Sequence, residues 1–259
     1  MLRALEENGI KIDAISGTSA GSIIAALYGM EYTTDEMIKL FKFFSKSVVG
    51  ISPKYLFTEM REVKGIGLGG LTSGYGLESA IKEAGKYKGI ENLQDIKLPI
   101  AIPAVDLITE KEIVFTNYKK LQSKNYIKDI EICKAVRASS SFPGMYSPLE
   151  YKNYQFVDGG VFDNLPVEQV KKLDVDKVIA VKFKNRIPKK QKTMYNISMH
   201  ALDLMSEKLL KESEQLSDYV LEIALNDVKP FNVGKIDYCY NEGYMQTIDN
   251  ISKIKRCLL

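Results

Sequence analysis

The pentapeptide Gly17-Thr18-Ser19-Ala20-Gly21 constrains this chain more than any other stretch, because it asks the backbone to leave an extended run and enter a helix within one turn. On its N-terminal side Ile10, Ile12 and Ala14 alternate with Lys11, Asp13 and Ile15, the period-two pattern of a strand. On its C-terminal side Ala20-Gly21-Ser22-Ile23-Ile24-Ala25-Ala26-Leu27 is apolar and rich in small residues, the start of a buried helix. A strand, a sharp turn and a helix with serine at the apex form a nucleophile elbow, with Ser19 as the nucleophile. The turn forces unusual dihedrals on Ser19 and brings helix and strand close together, so Gly17 and Gly21 are expected where a Cβ would collide. The helix N-terminus beneath the serine offers free N–H groups and a positive dipole end to an oxyanion. The other use of such a turn is to bind phosphate at the helix N-terminus.

A second local feature is Phe156-Val157-Asp158-Gly159-Gly160-Val161, an aspartate closing a short apolar run before two glycines. A carboxylate can take the proton of a serine hydroxyl when the backbone beside it is slim, and Gly159 and Gly160 remove that bulk. The same Asp-Gly pair also suits a plain β-turn.

Together the two motifs resemble the patatin-like phospholipase family, with matching pieces in order along nearly the whole chain. The run from Leu5 to Ser16 is similar to that family's approach to its elbow. Leu98-Pro99-Ile100-Ala101-Ile102-Pro103-Ala104-Val105-Asp106-Leu107 is similar to its next core strand, and Arg137-Ala138-Ser139-Ser140-Ser141-Phe142-Pro143-Gly144 to its serine-rich turn. Asp158-Gly159-Gly160 matches its Asp-Gly-Gly motif, followed by Asp163-Asn164-Leu165-Pro166-Val167 and the strand Lys177-Val178-Ile179-Ala180-Val181. The resemblance implies an α/β, three-layer fold with a mostly parallel central sheet and helices on both faces. It also implies a Ser19–Asp158 dyad acting on acyl esters of lipids, with no metal or organic cofactor. Members of the family carry a glycine-rich strand ahead of the first helix, whose N–H groups form most of the oxyanion hole. This sequence opens at Met1-Leu2-Arg3-Ala4-Leu5, inside that helix, which leads to the expectation of an N-terminally shortened chain. The natural protein is then expected to begin about 10 to 20 residues earlier, the length of one strand and a turn. The Ala20 N–H is the oxyanion donor that can be placed, and a lost donor costs roughly 100- to 1,000-fold in rate.

Length and composition fit one undivided domain over residues 1–259, with 45% apolar residues. A net charge of +3 leaves no nucleic-acid footprint. Cys133, Cys239 and Cys257 are far apart and form no CxxC pair, which favours a reducing cytoplasm over a disulfide framework or a zinc site. No apolar run reaches membrane-spanning length, so the chain reads as soluble or peripheral to a membrane. Oligomeric state is left open.

Helical and strand patterns alternate after the elbow. Thr33 and Glu36 have capping-box spacing and open a helix in which Phe41, Phe43 and Phe44 interleave with Lys39, Lys42 and Lys46. That aromatic, basic stripe has two uses, packing on the core or lying on an anionic lipid surface. Val48 to Gly76, loop-rich and containing the run Gly65-Ile66-Gly67-Leu68-Gly69-Gly70, is the expected lid. Helices are expected at about Ile130–Ala138, from Asn164, at Asn196–Gln215 and at Tyr238–Ile254, with strands near Tyr151, Phe156 and at Tyr219–Ile223. Pro188-Lys189-Lys190-Gln191-Lys192 reads as a charged loop.

His200 is the one histidine. Ser19, Asp158 and His200 satisfy the chain order of a Ser-Asp-His esterase, but His200 falls within an expected helix, where a surface or packing role is the simpler reading. A third alternative is a lipid-binding or scaffold protein that keeps the fold without efficient turnover. A nucleotide-binding protein is disfavoured, because the pentapeptide lacks the lysine of a P-loop and the spacing of a dinucleotide site.

Overall fold

The computed structural model describes residues 1–49, 70–184, 194–225, 228 and 233–259. The chain enters through helix α1 (Leu2–Glu7), left by way of Gly9 at φ +73°. Strand β1 (Ile15–Ser16) and helix α2 (Ala20–Gly29) flank the pentapeptide. The alternating run becomes strand only at its end, since the Ile10 N–H still closes onto the Leu5 carbonyl and residues 10–14 carry the chain away from α1. Helix α3 (Thr34–Val49) opens with the expected capping box: Glu36 N–H donates to Thr33 Oγ1 at 3.2 Å and Thr33 N–H donates to Glu36 Oε2 at 2.8 Å. There follow β2 (Gly70–Thr72), α4 (Tyr75–Lys88), β3 (Ile100–Asp106), β4 (Lys111–Thr116), β5 (Tyr126–Ile127) and α5 (Ile132–Ser139). The second half comprises β6 (Gly144–Tyr146), β7 (Leu149–Tyr151), β8 (Tyr154–Asp158), α6 (Val167–Lys171), β9 (Ile179–Phe183), α7 (Met194–Leu216), β10 (Tyr219–Ile223) and α8 (Ile236–Leu258).

The α/β class and the helices on both faces are as expected, but the central sheet is mixed rather than mostly parallel. Its order is β5-β4-β3-β8-β7 with β1 also on β3; β1 with β3 and β5 with β4 are parallel, whereas β3 with β4, β3 with β8 and β7 with β8 are antiparallel. The reason lies in the connections. Only Leu107 to Glu110 join β3 to β4, and Lys152 and Asn153 join β7 to β8, far too few residues for the crossover that parallel neighbours need. Asp106 tightens the first hairpin by accepting from the Thr109 N–H at 2.9 Å and the Thr109 hydroxyl at 2.6 Å. Lys152 adopts φ 53° in the second. Parallel pairing does hold in two small sheets, β9 with β10 and β2 with β6.

One edge of β3 carries two strands that meet head-on. β1 pairs parallel with Ile100 and Ala101, and β8 pairs antiparallel with Ala104 to Asp106. Because one strand is parallel and the other antiparallel, both end at the gap between them, beside Pro103. The odd residues of β3 turn their peptide groups to this edge: the Pro99 and Ala101 carbonyls accept from Ile15 and Gly17, and Leu107 donates to Gln155. Pro103 therefore presents its missing N–H where no partner strand exists to receive one. Among the described residues, β1 pairs only with β3 and β9 only with β10.

The two faces of β3 separate by its alternation. Ile100, Ile102 and Ala104 join Ala25, Ala26 and Leu27 of α2, Leu77 and Ile81 of α4 and Val136 of α5 in one core. Phe115 and Phe156 meet edge to face at 5.2 Å inside it. Ala101 and Val114 point the other way, to Leu165, Val167, Val170 and Ala180, with Leu210 of α7 packed against them. Each fully buried aliphatic or aromatic side chain contributes about 1.5–3 kcal/mol relative to exposure. Of the expected lid Val48–Gly76, residues 50–69 lie outside the described residues, while its end forms β2 and the start of α4. The charged loop Pro188–Lys192 also lies outside them.

Candidate active site

Ser19 stands at the apex of the elbow with φ 54° and ψ −122°, and it caps the N-terminus of α2. A non-glycine residue pays about 1–3 kcal/mol for such a backbone, which persists only where its surroundings enforce it. Gly17 is part of that enforcement: a Cβ there would sit 2.2 Å from the Gly21 carbonyl oxygen and 2.9 Å from the Ser22 nitrogen. Gly21 differs from expectation. A Cβ built on it meets nothing within 4 Å, so its role in the close approach is to supply the backbone that Gly17 accommodates.

Asp158 ends β8 opposite Ala104 and opens the short 3₁₀ turn Gly159–Val161. The Gly160 N–H donates to Asp158 Oδ1 at 2.8 Å. Gly159 lies against the gap in the sheet, where its Cβ would be 2.4 Å from the Pro103 carbonyl oxygen and 2.9 Å from the Thr18 methyl. Its missing side chain is what lets the aspartate dock beside the elbow. Thr18 secures the contact by donating its hydroxyl to the Asp163 carbonyl at 2.8 Å, and Ser16 donates to the Pro166 carbonyl at 2.8 Å.

The converging strands bring the Ser19 hydroxyl to face the Asp158 carboxyl. The Asp158 carboxyl is 2% exposed, and burial pushes its pKa up to about 6; the facing Ser19 hydroxyl and the Gly160 N–H oppose the rise. The Ser19 hydroxyl faces the carboxyl, and among the described residues the buried Asp158 Oδ2 has no hydrogen-bond partner. Among the described residues the Ala20 N–H makes no backbone hydrogen bond, and it stands at the first turn of α2, where an oxyanion would gather.

Sequence reasoning did not assign the groups that hold Ser19 from behind. The Ser19 N–H donates to Ser139 Oγ at 3.1 Å, and its carbonyl accepts from Ser22 Oγ at 2.6 Å and Ser140 Oγ at 3.2 Å. The signal was present as three consecutive serines after an amphipathic helix, because hydroxyls in a core must find partners.

Ser19 and Ala20 form part of the wall of a cleft of about 2950 Å³, whose apolar lining includes Ile24, Met37, Ile38, Phe41 and Val181. His200, on α7, lines the same cleft but makes no hydrogen bond to Ser19 or Asp158. Among the described residues no group of acidic, histidine or cysteine side chains is arranged to hold a metal ion, and no helix is long and apolar enough to cross a membrane.

Comparison with known proteins finds similarity in sequence and in structure. The lysophospholipase NTE1 of Candida albicans is 28% identical over 181 residues, 70% of this chain but 12% of that protein. A probable lipid hydrolase, 463L, of Invertebrate iridescent virus 6 is 28% identical over 202 residues, 74% of this chain and 62% of the viral protein. VipD of Legionella pneumophila superposes with a TM-score of 0.48 at 11% identity, over 97% of this chain and 63% of its own. This chain thus spans a small part of the fungal relative and under two thirds of the viral one. The sequence model of patatin-like phospholipases matches residues 1–171, and on that match the chain belongs to the patatin-like phospholipase family.

Proposed function

We propose that this chain is a serine acyl hydrolase acting on lipid esters through Ser19 and Asp158. The observation that carries the reading is a serine held at φ 54° on a helix N-terminus, facing a buried carboxylate whose pKa is raised to about 6. In the proposed reaction Ser19 Oγ bonds to the ester carbonyl carbon while Asp158 takes the hydroxyl proton. The Ala20 N–H donates to the oxyanion. Collapse of the intermediate breaks the ester C–O bond, the Asp158 proton passes to the departing alcohol, and the acyl group stays on Ser19. Water then attacks the acyl-enzyme and gives a proton to Asp158; as the bond between the acyl carbon and Ser19 Oγ breaks, Asp158 returns that proton to Ser19 Oγ, and the fatty acid and free Ser19 result. A carboxylate with a pKa near 6 is a better base than an exposed aspartate near 3.9, which supports a two-residue machinery.

The large, partly apolar cleft beside Ser19 supports a lipid as the acyl donor, as do relatives named as a lysophospholipase and a lipid hydrolase. The exposed Phe43 on the lysine-bearing α3, whose Met37, Ile38 and Phe41 line the cleft, supports peripheral contact with a lipid surface.

Covalent labelling by a fluorophosphonate and hydrolysis of a short-chain nitrophenyl ester test the reading. The unaltered chain is expected to label and turn over. Ser19→Ala and Asp158→Asn are each expected to abolish both while leaving the circular dichroism spectrum unchanged; turnover that survives Ser19→Ala overturns the assignment.

A further inference from the structure

The end of α5 touches both halves of the proposed dyad. Ser139, Ser140 and Ser141 are 0%, 5% and 0% exposed, so none of their hydroxyls is spent on solvent. Ser139 Oγ receives the N–H of Ser19, and Ser140 Oγ donates to the carbonyl of Ser19. The two peptide groups that flank the nucleophile are thereby pinned from the same turn of chain. Ser141, the next residue, accepts the Asp158 N–H on its carbonyl at 3.1 Å.

That turn is itself anchored. Arg137, 2% exposed, donates from Nη1 to Ser141 Oγ and from Nη2 to the Ser73 and Ser147 carbonyls. Ser141 Oγ returns a hydrogen bond to the Arg137 carbonyl at 2.8 Å. Gly74, at φ +69°, leaves the space the guanidinium occupies, since a Cβ there would lie 2.1 Å from Arg137 Nε.

A serine at φ 54° drifts toward an ordinary helical or extended conformation unless its peptide groups are held, and that drift would carry Oγ away from Asp158. We propose that Ser139 and Ser140 are positioning residues that hold the Ser19 backbone in its reactive conformation, while the adjoining Ser141 carbonyl fixes Asp158 at the matching distance. The inference rests on Ser19 and Asp158 acting as proposed above. Neither Ser139 nor Ser140 lines the cleft; both act through Ser19.

The test measures rates per active site, with sites titrated by fluorophosphonate in the whole chain. Ser139→Ala removes the acceptor of the Ser19 N–H. Its phosphonylation rate per site and its kcat for the short-chain ester are expected to fall about ten- to a hundredfold, the cost of displacing a reacting group by a fraction of an ångström to one ångström. KM is expected to stay unchanged, because the cleft wall is untouched. Ser139→Thr, which keeps the hydroxyl, is expected to regain most of the rate per site. Ser140→Ala is expected to lose about three- to tenfold, since Ser22 Oγ still serves the same carbonyl.

A residue that only stabilised the fold would lower the number of titratable sites and leave the rate at each one intact. Unchanged rates per site in Ser139→Ala overturn the inference, as does a Ser139→Thr rate no higher than that of Ser139→Ala. Should Ser139→Ala fail to fold, Ser140→Ala decides in the same way. Labelling that persists in Ser19→Ala would instead overturn the function reading, and the two failures are therefore distinct.

Discussion

Asp158 derives its proposed strength as a base from where β8 ends. Burial raises its pKa to about 6, while the Gly160 N–H keeps enough support for the charged form to exist at neutral pH. The base works when deprotonated, so kcat/KM is expected to fall about tenfold per pH unit below pH 6 and to level off above it, measured on a neutral short-chain ester. A profile flat from pH 5 to 8 would remove Asp158 from the base role. His200 belongs to the same scale. It lines the cleft without a bond to either member of the proposed dyad, so His200→Ala is expected to change the rate by no more than a few-fold. A loss of about 10,000-fold, the scale of a disabled triad member, would assign the proton transfer to histidine.

Among the elements, the elbow is decided by how closely α2 approaches the end of β1. Gly17→Ala places a methyl 2.2 Å from the Gly21 carbonyl, and backbone cannot yield as a flexible side chain does. The substitution is expected to destabilise by at least the about 1–3 kcal/mol typical of overpacking, read as a lowered Tm, and to abolish labelling. Gly21→Ala meets open space, and Tm is expected to hold or rise, since alanine is favoured over glycine in a helix by up to about 1 kcal/mol. The two glycines look equivalent in the pentapeptide and are opposite in consequence. Gly159 behaves like Gly17, because Pro103 and Thr18 already fill the space of its missing side chain.

At the scale of the whole molecule, one buried carboxyl group, Asp158, and two half-buried ones, Glu112 and Asp163, stand around the elbow and the layer beside it. Burial raises Glu112 to about 7, and Asp158 and Asp163 to about 6. Each keeps its proton more tightly folded than unfolded, so its stabilising contribution is complete below the unfolded value of 4.5 or 3.8 and is lost as pH rises through 6 to 7. Tm is therefore expected to decline between about pH 4 and pH 7 from these groups. Glu112 offers the cleanest check. Its Oε2 accepts from Gln169 Nε2 at 2.7 Å, and among the described residues the buried Glu112 Oε1 and Gln169 Oε1 have no partners. Glu112→Gln removes the titrating charge and adds a donor, and is expected to raise Tm at pH 8 while changing it little at pH 4.5. The expected rise is about 2–4 °C for each kcal/mol regained in a chain of this size. An equal shift at both pH values would show that the charge is not its source.

What the sequence determined by itself was local. The strand-turn-helix around Ser19, the capping box at Thr33, the helices near Ile132 and Met194 and the strand Tyr219–Ile223 are written in residue period and in glycine, because neighbours in the chain make those contacts. The residues of Asp158-Gly159-Gly160 by themselves marked only a turn with a carboxylate, and it was the family resemblance that paired Asp158 with Ser19. Tertiary structure decided the remainder. The sheet is mixed because short hairpins at Asp106 and Lys152 overrule the parallel arrangement, and the parallel β1 and antiparallel β8 thereby meet end to end beside Pro103. Ser139 supports Ser19 from 120 positions away, and no local period records such a bond. Residues brought together by strand pairing owe their distance to the pairing register of β3, a property of several segments at once, so no single segment of the sequence could state it.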